Sequence, residues 1–301
     1  LLSAIERVHW ELEVLQTPYR NPLFYVHQTL GTLFELLLIS SPFTETRAEN
    51  LLIRLEHIPE TLKSARQTLV RPVRPFAKAT VSTLDHIDQR LQTMATALKP
   101  EIPAEMHPRL DQSVGEAIAA LEAYSTWLES QLDSMQSAFA IGPLAYQWFL
   151  GHVALIPHSP AELLAQGRMA WDHAVALDTI EANRNRDLPD APVFGDSSKQ
   201  IRATDVKEAE IRSFLQSNQL MTIPGWLQHY RSRPMPAYLE PLSFMGVNDD
   251  LTSETRLDED AYRYIREPST DLSYFSLSAA RDPRPLIIHE GIPGHYYQMA
   301  L

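Results

Sequence analysis

The sequence predicts a mainly α protein, a multi-helical bundle with a small β element next to the helix that carries a C-terminal histidine motif. Through most of residues 1–185, apolar residues recur at spacings of three and four, as in amphipathic helices. Prolines separate these segments, and a proline disfavours helix in the residue before it. The alternation that is typical of strands is confined to short stretches near the C-terminus. Helix packing therefore accounts for most of the expected core.

Amphipathic segments predict an N-terminal helical bundle over residues 1–140. One apolar stripe includes Leu51, Leu55 and Leu62, which fall on the same face of a helix. Pro59 lies inside that segment and predicts a stop or a kink, because proline removes a helical hydrogen bond. The predicted helices of the bundle are residues 1–17, 23–39, 46–69, 77–98 and 108–137.

Residues 141–301 are predicted to form a helical region that contains the small β element. Ser159 is the expected N-cap of a helix that ends near residue 182, because Pro160 suits the first helical position and Glu162 completes a capping box. Later in the chain we expect a helix over residues 205–219 and short strands over residues 237–247 and 272–279.

Composition excludes several classes of site and partner. The absence of cysteine rules out disulfides, thiolate metal sites and cysteine nucleophiles. A net charge of -12 without a basic block disfavours a nucleic-acid partner, and no apolar run is long enough to predict a membrane span. Serine-hydrolase and nucleotide-binding motifs are also absent. The oligomeric state stays open, as does the choice between cytoplasm and periplasm or secretion.

The last stretch of the chain places His289 and Glu290 directly after an apolar run, and His295 follows the first histidine by six residues. Neutral imidazoles suit Zn²⁺, and a carboxylate beside one ligand can deprotonate the metal-bound water. The residues therefore suggest His289 and His295 as metal ligands and Glu290 as the general base.

The spacing of the two histidines requires a break in the helix between them. Six residues of continuous α-helix rotate the second side chain by about 240° from the first, so both could not reach one ion. Gly291, Pro293 and Gly294 stand between the histidines and predict a distorted turn or a bulge. From the residues alone, two unconnected histidines near a Pro-Gly turn stay an alternative.

Residues 289–298 resemble the signature of the bacterial domain-of-unknown-function family 885 (DUF885). That signature is His-Glu, two variable residues, Pro-Gly-His, two variable residues and Gln. The resemblance continues upstream in a Gly-x3-Tyr pair and a Ser-Pro-x-Glu-Leu-x3-Gly run, whereas the chain before about residue 140 matches in helical character alone. The upstream positions are Gly142, Tyr146, Ser159, Pro160, Glu162, Leu163 and Gly167.

The resemblance implies a gluzincin-like zinc metallopeptidase, so zinc is the expected cofactor and a peptide is the expected substrate. It favours Tyr146 as a substrate-binding residue. Tyr274, on the predicted strand over residues 272–279, is a second candidate. An exposed edge of that strand is expected to hold the peptide by main-chain hydrogen bonds.

Two features depart from the family pattern. Many relatives carry a second histidine where this chain has Tyr296, and the Glu-Gly-Trp segment whose glutamate would complete the zinc site does not occur in residues 1–301. We therefore expect one continuous catalytic domain, incomplete at its C-terminus and inactive as it stands. The alternative is a non-catalytic helical binding or scaffold protein in which the motif is a relic or a structural metal site.

Overall fold

The computed structural model describes residues 1–39, 42–253 and 255–301. Most of these residues are helical, and the strands among them form a three-stranded sheet. The predicted mainly α class with a small β element is therefore confirmed. Over the described part of the chain, no helix is both long enough and apolar enough to cross a membrane.

Helices follow the predicted segments in the first half of the chain, with short π-helical and 3₁₀ turns between some of them. Their bounds are α1 (Leu2–His9), α2 (Thr17–Arg20), α3 (Leu23–Val26), α4 (Thr32–Leu38), α5 (Glu45–Thr68), α6 (Arg74–Thr83), α7 (Ile87–Leu98) and α8 (His107–Gln131). Helix α5 continues through Pro59 rather than ending there. The single helix expected over residues 77–98 is instead α6 and α7, which are separated at His86, where φ is 58°.

The apolar stripe predicted on α5 is buried. Leu51, Leu55 and Leu62 are at most 2% exposed, whereas Ile53 on the opposite face is 38% exposed. This contrast is what a helix with one apolar face produces when that face alone packs against neighbours.

The described residues divide into two compact units, each assembled from three stretches of chain. The first unit comprises Leu1–Val26, Pro59–Asp85 and Ala120–Asp190. The second unit comprises His27–Ile58, His86–Ala119 and Ala191–Leu301. The division expected near residue 140, between an N-terminal helical bundle and a helical region with the small β element, stays a prediction.

Aromatic stacking and a buried hydroxyl hold the first unit together. Trp10 stacks on Trp148 with ring centroids 5.8 Å apart and meets Phe149 at 5.0 Å. The hydroxyl of Tyr124 donates a hydrogen bond of 3.1 Å to the carbonyl of Pro22. Because Tyr124 is fully buried, this bond satisfies a polar group that would otherwise be costly to remove from water.

The second half of the chain contains the remaining helices and the sheet. The helices are α9 (Pro143–His152), α10 (Pro160–Arg184), α11 (Ser197–Ser217), α12 (Tyr274–Arg281), α13 (Arg284–Leu286) and α14 (His295–Ala300). The strands are β1 (Tyr230–Pro234), β2 (Asp249–Asp250) and β3 (Ala261–Ile265). The predicted capping box of α10 is present, since the Oγ of Ser159 accepts from the Glu162 amide and the Glu162 carboxylate accepts from the Ser159 amide.

Strand β3 lies in the middle of the sheet. It pairs with β1 in parallel, with Tyr230 opposite Ala261, and with β2 antiparallel, with Asp249 opposite Arg263. Helix α11 packs against β1. Tyr230 of β1 packs in one cluster with Ile287, Ile292 and Tyr296, so the sheet supports the segment that carries the histidine motif.

The predictions of strands over residues 237–247 and 272–279 are both wrong. Residues 237–247 contain the 3₁₀ segment Glu240–Met245, and residues 272–279 belong mostly to α12. Ala279 and Ala280 are the buried residues of α12, whereas Tyr274 and Phe275 at its start are exposed. The strand-addition mode of peptide binding expected over residues 272–279 therefore has no strand to use.

Candidate metal centre

The histidine motif is built on an interrupted helix. Ile287–Gly291 forms a π-helical turn, Ile292 is extended with φ -121° and ψ 123°, and α14 begins at His295. The peptide bond between Ile292 and Pro293 is cis. The distorted turn that the glycines and the proline predicted is thus confirmed, and π-helical turns of this kind are frequent at functional sites.

Two glycines allow the close backbone approaches that this turn needs. A Cβ atom at Gly294 would lie 1.8 Å from the carbonyl oxygen of His289, and one at Gly291 would lie 2.8 Å from the ring of Tyr230. No other residue type leaves that space, because every other residue carries a Cβ atom. The turn therefore folds the start of α14 back onto the π-helical segment.

Buried apolar side chains hold both halves of the motif in place. Ile287, Ile292 and Tyr296 are each at most 1% exposed and pack in one cluster with Tyr230 and Leu227. Burial raises the pKa of Tyr296 to about 12. Tyr296, which stands where many relatives carry a second histidine, is therefore part of the core in this chain.

Folding the motif in this way brings the three predicted site residues together. One potential ligand atom each from His289, Glu290 and His295 lies within 4.8 Å of the others. The two imidazole rings are 5.1 Å apart between centroids and meet edge to face, at 80°. Unbroken helix could not produce this convergence at a spacing of six.

The residues present fit a zinc ion. Nitrogen and oxygen ligands lie about 2.0 to 2.2 Å from zinc, so the ligand atoms of a tetrahedral site lie about 3.3 to 3.6 Å from each other. The candidate atoms of His289, Glu290 and His295 lie within 4.8 Å of one another, up to about 1.5 Å more than that separation, a difference that side-chain rotation can close. The chemistry of the groups suits zinc, with two imidazoles for the metal and a carboxylate beside them for its bound water.

The two histidines face an open groove. Both imidazoles are exposed and line the groove, whereas the Glu290 side chain is 15% exposed and is not among the lining residues. A ligand in the groove would meet the histidines directly. The groove is lined by Pro285, Ile288, His289, Pro293, Gly294, His295 and Gln298.

A chain of buried polar groups stands behind Glu290. Its Oε1 lies 3.8 Å from Nη1 of Arg263, and the same Nη1 donates a 2.5 Å hydrogen bond to Oδ2 of Asp249. The hydroxyl of Tyr230 donates to the other carboxylate oxygen of Asp249 at 2.7 Å. Burial raises the pKa of Asp249 to about 6 although the neighbouring guanidinium opposes the rise. Burial also raises the pKa of Tyr230 well above its ordinary value.

The predicted substrate-binding tyrosines lie outside this cluster of residues. Tyr146 belongs to α9 in the first unit and is 42% exposed. Tyr274 is 82% exposed on α12, packs edge to face with Phe275, and does not line the groove. A role in substrate binding stays a prediction for both residues.

Sequence reasoning missed Tyr230, Asp249 and Arg263. None of them belongs to the histidine motif, and each lies in a strand that was not predicted. Their proximity depends on the strand register that places Asp249 opposite Arg263. The aromatic and β-branched residues of A-Y-R-Y-I, over residues 261–265, were the available signal for the central strand.

Comparisons with known proteins add a family and a fold. Residues 3–301 match the family model described as "Bacterial protein of unknown function (DUF885)". No curated protein matches the chain. The chain is similar to the structure of a "putative lipoprotein of unknown function" from Shewanella oneidensis, with 15% identity and a TM-score of 0.60. The likeness covers 98% of this chain and 57% of that one, and it concerns the fold.

Proposed function

The chain belongs to the DUF885 family of bacterial proteins, and on that premise we propose that it is a zinc-dependent peptide hydrolase. The observation that carries the proposal is the convergence of His289, Glu290 and His295 within 4.8 Å, with both histidines lining an open groove. Two imidazoles and a neighbouring carboxylate are among the groups that hydrolysis at a zinc ion requires.

In this proposal each residue has its own task. When bound, zinc would lower the pKa of water to about 7 and polarise the scissile carbonyl. His289 and His295 would hold the metal through ring nitrogens. Glu290 would accept a proton from the attacking water at its carboxylate and then pass that proton to the leaving amine.

A third protein ligand is part of the proposal. Catalytic zinc sites usually combine three protein ligands with one open position, and Glu290 is assigned to proton transfer. We assign the third ligand to the glutamate of the Glu-Gly-Trp segment that the family resemblance implies. The chain spans 57% of the length of the Shewanella oneidensis structure.

The alternative is a non-catalytic helical binding or scaffold protein with a relic or structural metal site. Structural zinc sites are closed, with four protein ligands around the ion. His289 and His295 are instead exposed and line a groove, which leaves room for a substrate. A closed structural site would need two further protein ligands beside the histidines, whereas the hydrolase needs one.

Metal analysis of the full-length protein tests the proposal. We expect about one zinc per chain after purification without chelator, and loss of that zinc in His289→Ala and in His295→Ala. His173→Ala is the matched control, because His173 is exposed on α10 and outside the motif. Full-length protein that binds no zinc, even when zinc is added, would overturn the proposal.

A further inference from the structure

Arg263 lies on the central strand β3, and its guanidinium has a carboxylate neighbour on each side, Glu290 of the motif and Asp249 of β2. It is the β3 residue directly opposite Asp249 of β2, and its side chain is 15% exposed. The guanidinium pairs with the Asp249 carboxylate on one side and lies 3.8 Å from the Glu290 carboxylate on the other. A fixed cation thus stands beside the proposed general base.

The Asp249 carboxylate holds the Arg263 guanidinium in place, and both of its oxygens accept hydrogen bonds. Oδ2 of Asp249 accepts from Arg263, and Oδ1 accepts from the Tyr230 hydroxyl. The ring of Tyr230 in turn packs against the backbone of Gly291, the residue after Glu290. Tyr230 therefore connects the backbone of the motif to the group that holds Arg263.

The distance between Arg263 and Glu290 allows electrostatic attraction without a hydrogen bond. At 3.8 Å the contact is an ion pair but is too long for a hydrogen bond. Among the residues that the structure describes, no hydrogen bond occupies either carboxylate oxygen of Glu290. The cation therefore attracts the carboxylate while its lone pairs stay available to accept a proton.

We propose that Arg263 is a positioning residue for Glu290: its charge fixes the orientation of the Glu290 carboxylate, while Asp249 and Tyr230 fix the guanidinium. This inference rests on the proposed hydrolase function. Its physical basis is that a glutamate side chain has several rotatable bonds, and a displacement of about 1 Å in a catalytic group costs about 100-fold in rate.

A purely structural role for Arg263 is the competing explanation. Arg263 and Asp249 form a buried cross-strand ion pair, and removing the arginine alone leaves a buried carboxylate unpaired, which is strongly destabilising. Arg263→Met can therefore fail to fold for a reason unrelated to Glu290. The double variant Asp249→Asn/Arg263→Met removes both charges and avoids this problem.

The same sheet offers a matched control. Arg256 pairs with the buried Asp250, the β2 residue next to Asp249. Asp250→Asn/Arg256→Met removes an ion pair from the adjacent residue of the same strand, and Arg256 also pairs with the partly exposed Glu259. If both pairs are only structural, the two double variants will behave alike.

Kinetics on the zinc-loaded full-length protein form the first readout. We expect Asp249→Asn/Arg263→Met to lower kcat by about 10- to 100-fold with KM and zinc content unchanged. The control double variant should keep its kcat. Arg263→Lys, which keeps a cation beside Glu290, should lose less kcat than the first double variant. Equal kcat values for the two double variants would overturn the proposal.

Crystal structures of the same variants form a second readout that needs no activity. We expect the Glu290 carboxylate to move by about 1 Å or more in Asp249→Asn/Arg263→Met and to stay in place in Asp250→Asn/Arg256→Met. An unmoved Glu290 in the first double variant would overturn the positioning role. A wild-type protein without zinc or hydrolysis would instead overturn the proposed function, and the two failures are therefore distinguishable.

Discussion

Gly294 lies where the motif folds back on itself, and replacing it with alanine tests whether that turn brings the two histidines together. The added Cβ would lie 1.8 Å from the carbonyl oxygen of His289 and 2.6 Å from that of Ile288. Real Cβ contacts essentially never fall below 3.0 Å, so the backbone has to move by about 1.2 Å, the difference between 3.0 and 1.8 Å.

A shift of that size exceeds what a metal site tolerates. Ligand distances in zinc sites hold within about 0.2 Å of their usual values, so moving His295 relative to His289 breaks the pair. We expect Gly294→Ala to lower zinc affinity by at least about 100-fold, since even the loss of a supporting contact lowers it by about 10- to 100-fold. The assay is competition with a chromophoric chelator, with circular dichroism to verify that the helices are retained.

Two other glycines complete a graded series. In Gly291→Ala the clash is with the ring of Tyr230 at 2.8 Å, which is less severe than the 1.8 Å clash at Gly294, so we expect an intermediate loss of affinity. Gly115 lies within α8 with no atom within 4 Å of its added Cβ. Gly115→Ala should leave zinc binding unchanged and stabilise the fold by about 0.4 to 1 kcal/mol. Zinc affinity within about threefold of wild type in Gly294→Ala would refute the reasoning, since that is far less than the change expected of a disturbed site.

Further predictions concern stability. Leu55→Ala should lower the free energy of unfolding by about 2 to 5 kcal/mol, because Leu55 is fully buried on α5, whereas Ile53→Ala on the exposed face should cost much less. Urea denaturation measures both, and equal losses would contradict the assigned helix faces. Burial raises the pKa of Asp249 to about 6, so the folded protein holds this proton more tightly than the unfolded chain does. The stability that the protonated Asp249 contributes is complete below about pH 4 and is lost as the pH rises through about 6. The loss in unfolding free energy amounts to about 3 kcal/mol. The unfolding free energy of wild type relative to Asp249→Asn should therefore fall between pH 4 and pH 7, and a difference independent of pH would contradict the assignment.

The sequence was informative wherever structure depends on neighbouring residues. The stripe of Leu51, Leu55 and Leu62 predicted a helix and its buried face, and Ser159 with Glu162 predicted the start of α10. The break in the histidine motif was also predictable, because glycine and proline act on their own stretch of backbone.

Features that depend on distant residues were not predictable from local pattern. The apolar residues of 272–279 fit both the alternation of a strand and the spacing of a helix. The segment belongs mostly to α12, in which Ala279 and Ala280 are buried. The register between β2 and β3 joins residues that are far apart in the chain, and it alone places Arg263 beside Asp249. The polar groups behind Glu290 were missed for this reason.

The most direct test of the hydrolase proposal compares Glu290→Gln with His295→Ala in the full-length protein. Glutamine keeps the shape of Glu290 but accepts no proton, so Glu290→Gln should retain about one zinc per chain while peptide hydrolysis falls by about 10²- to 10⁴-fold. His295→Ala should lose zinc and hydrolysis together, because it removes a ligand. Glu290→Gln with more than about half of the wild-type activity would contradict the role of Glu290 as general base.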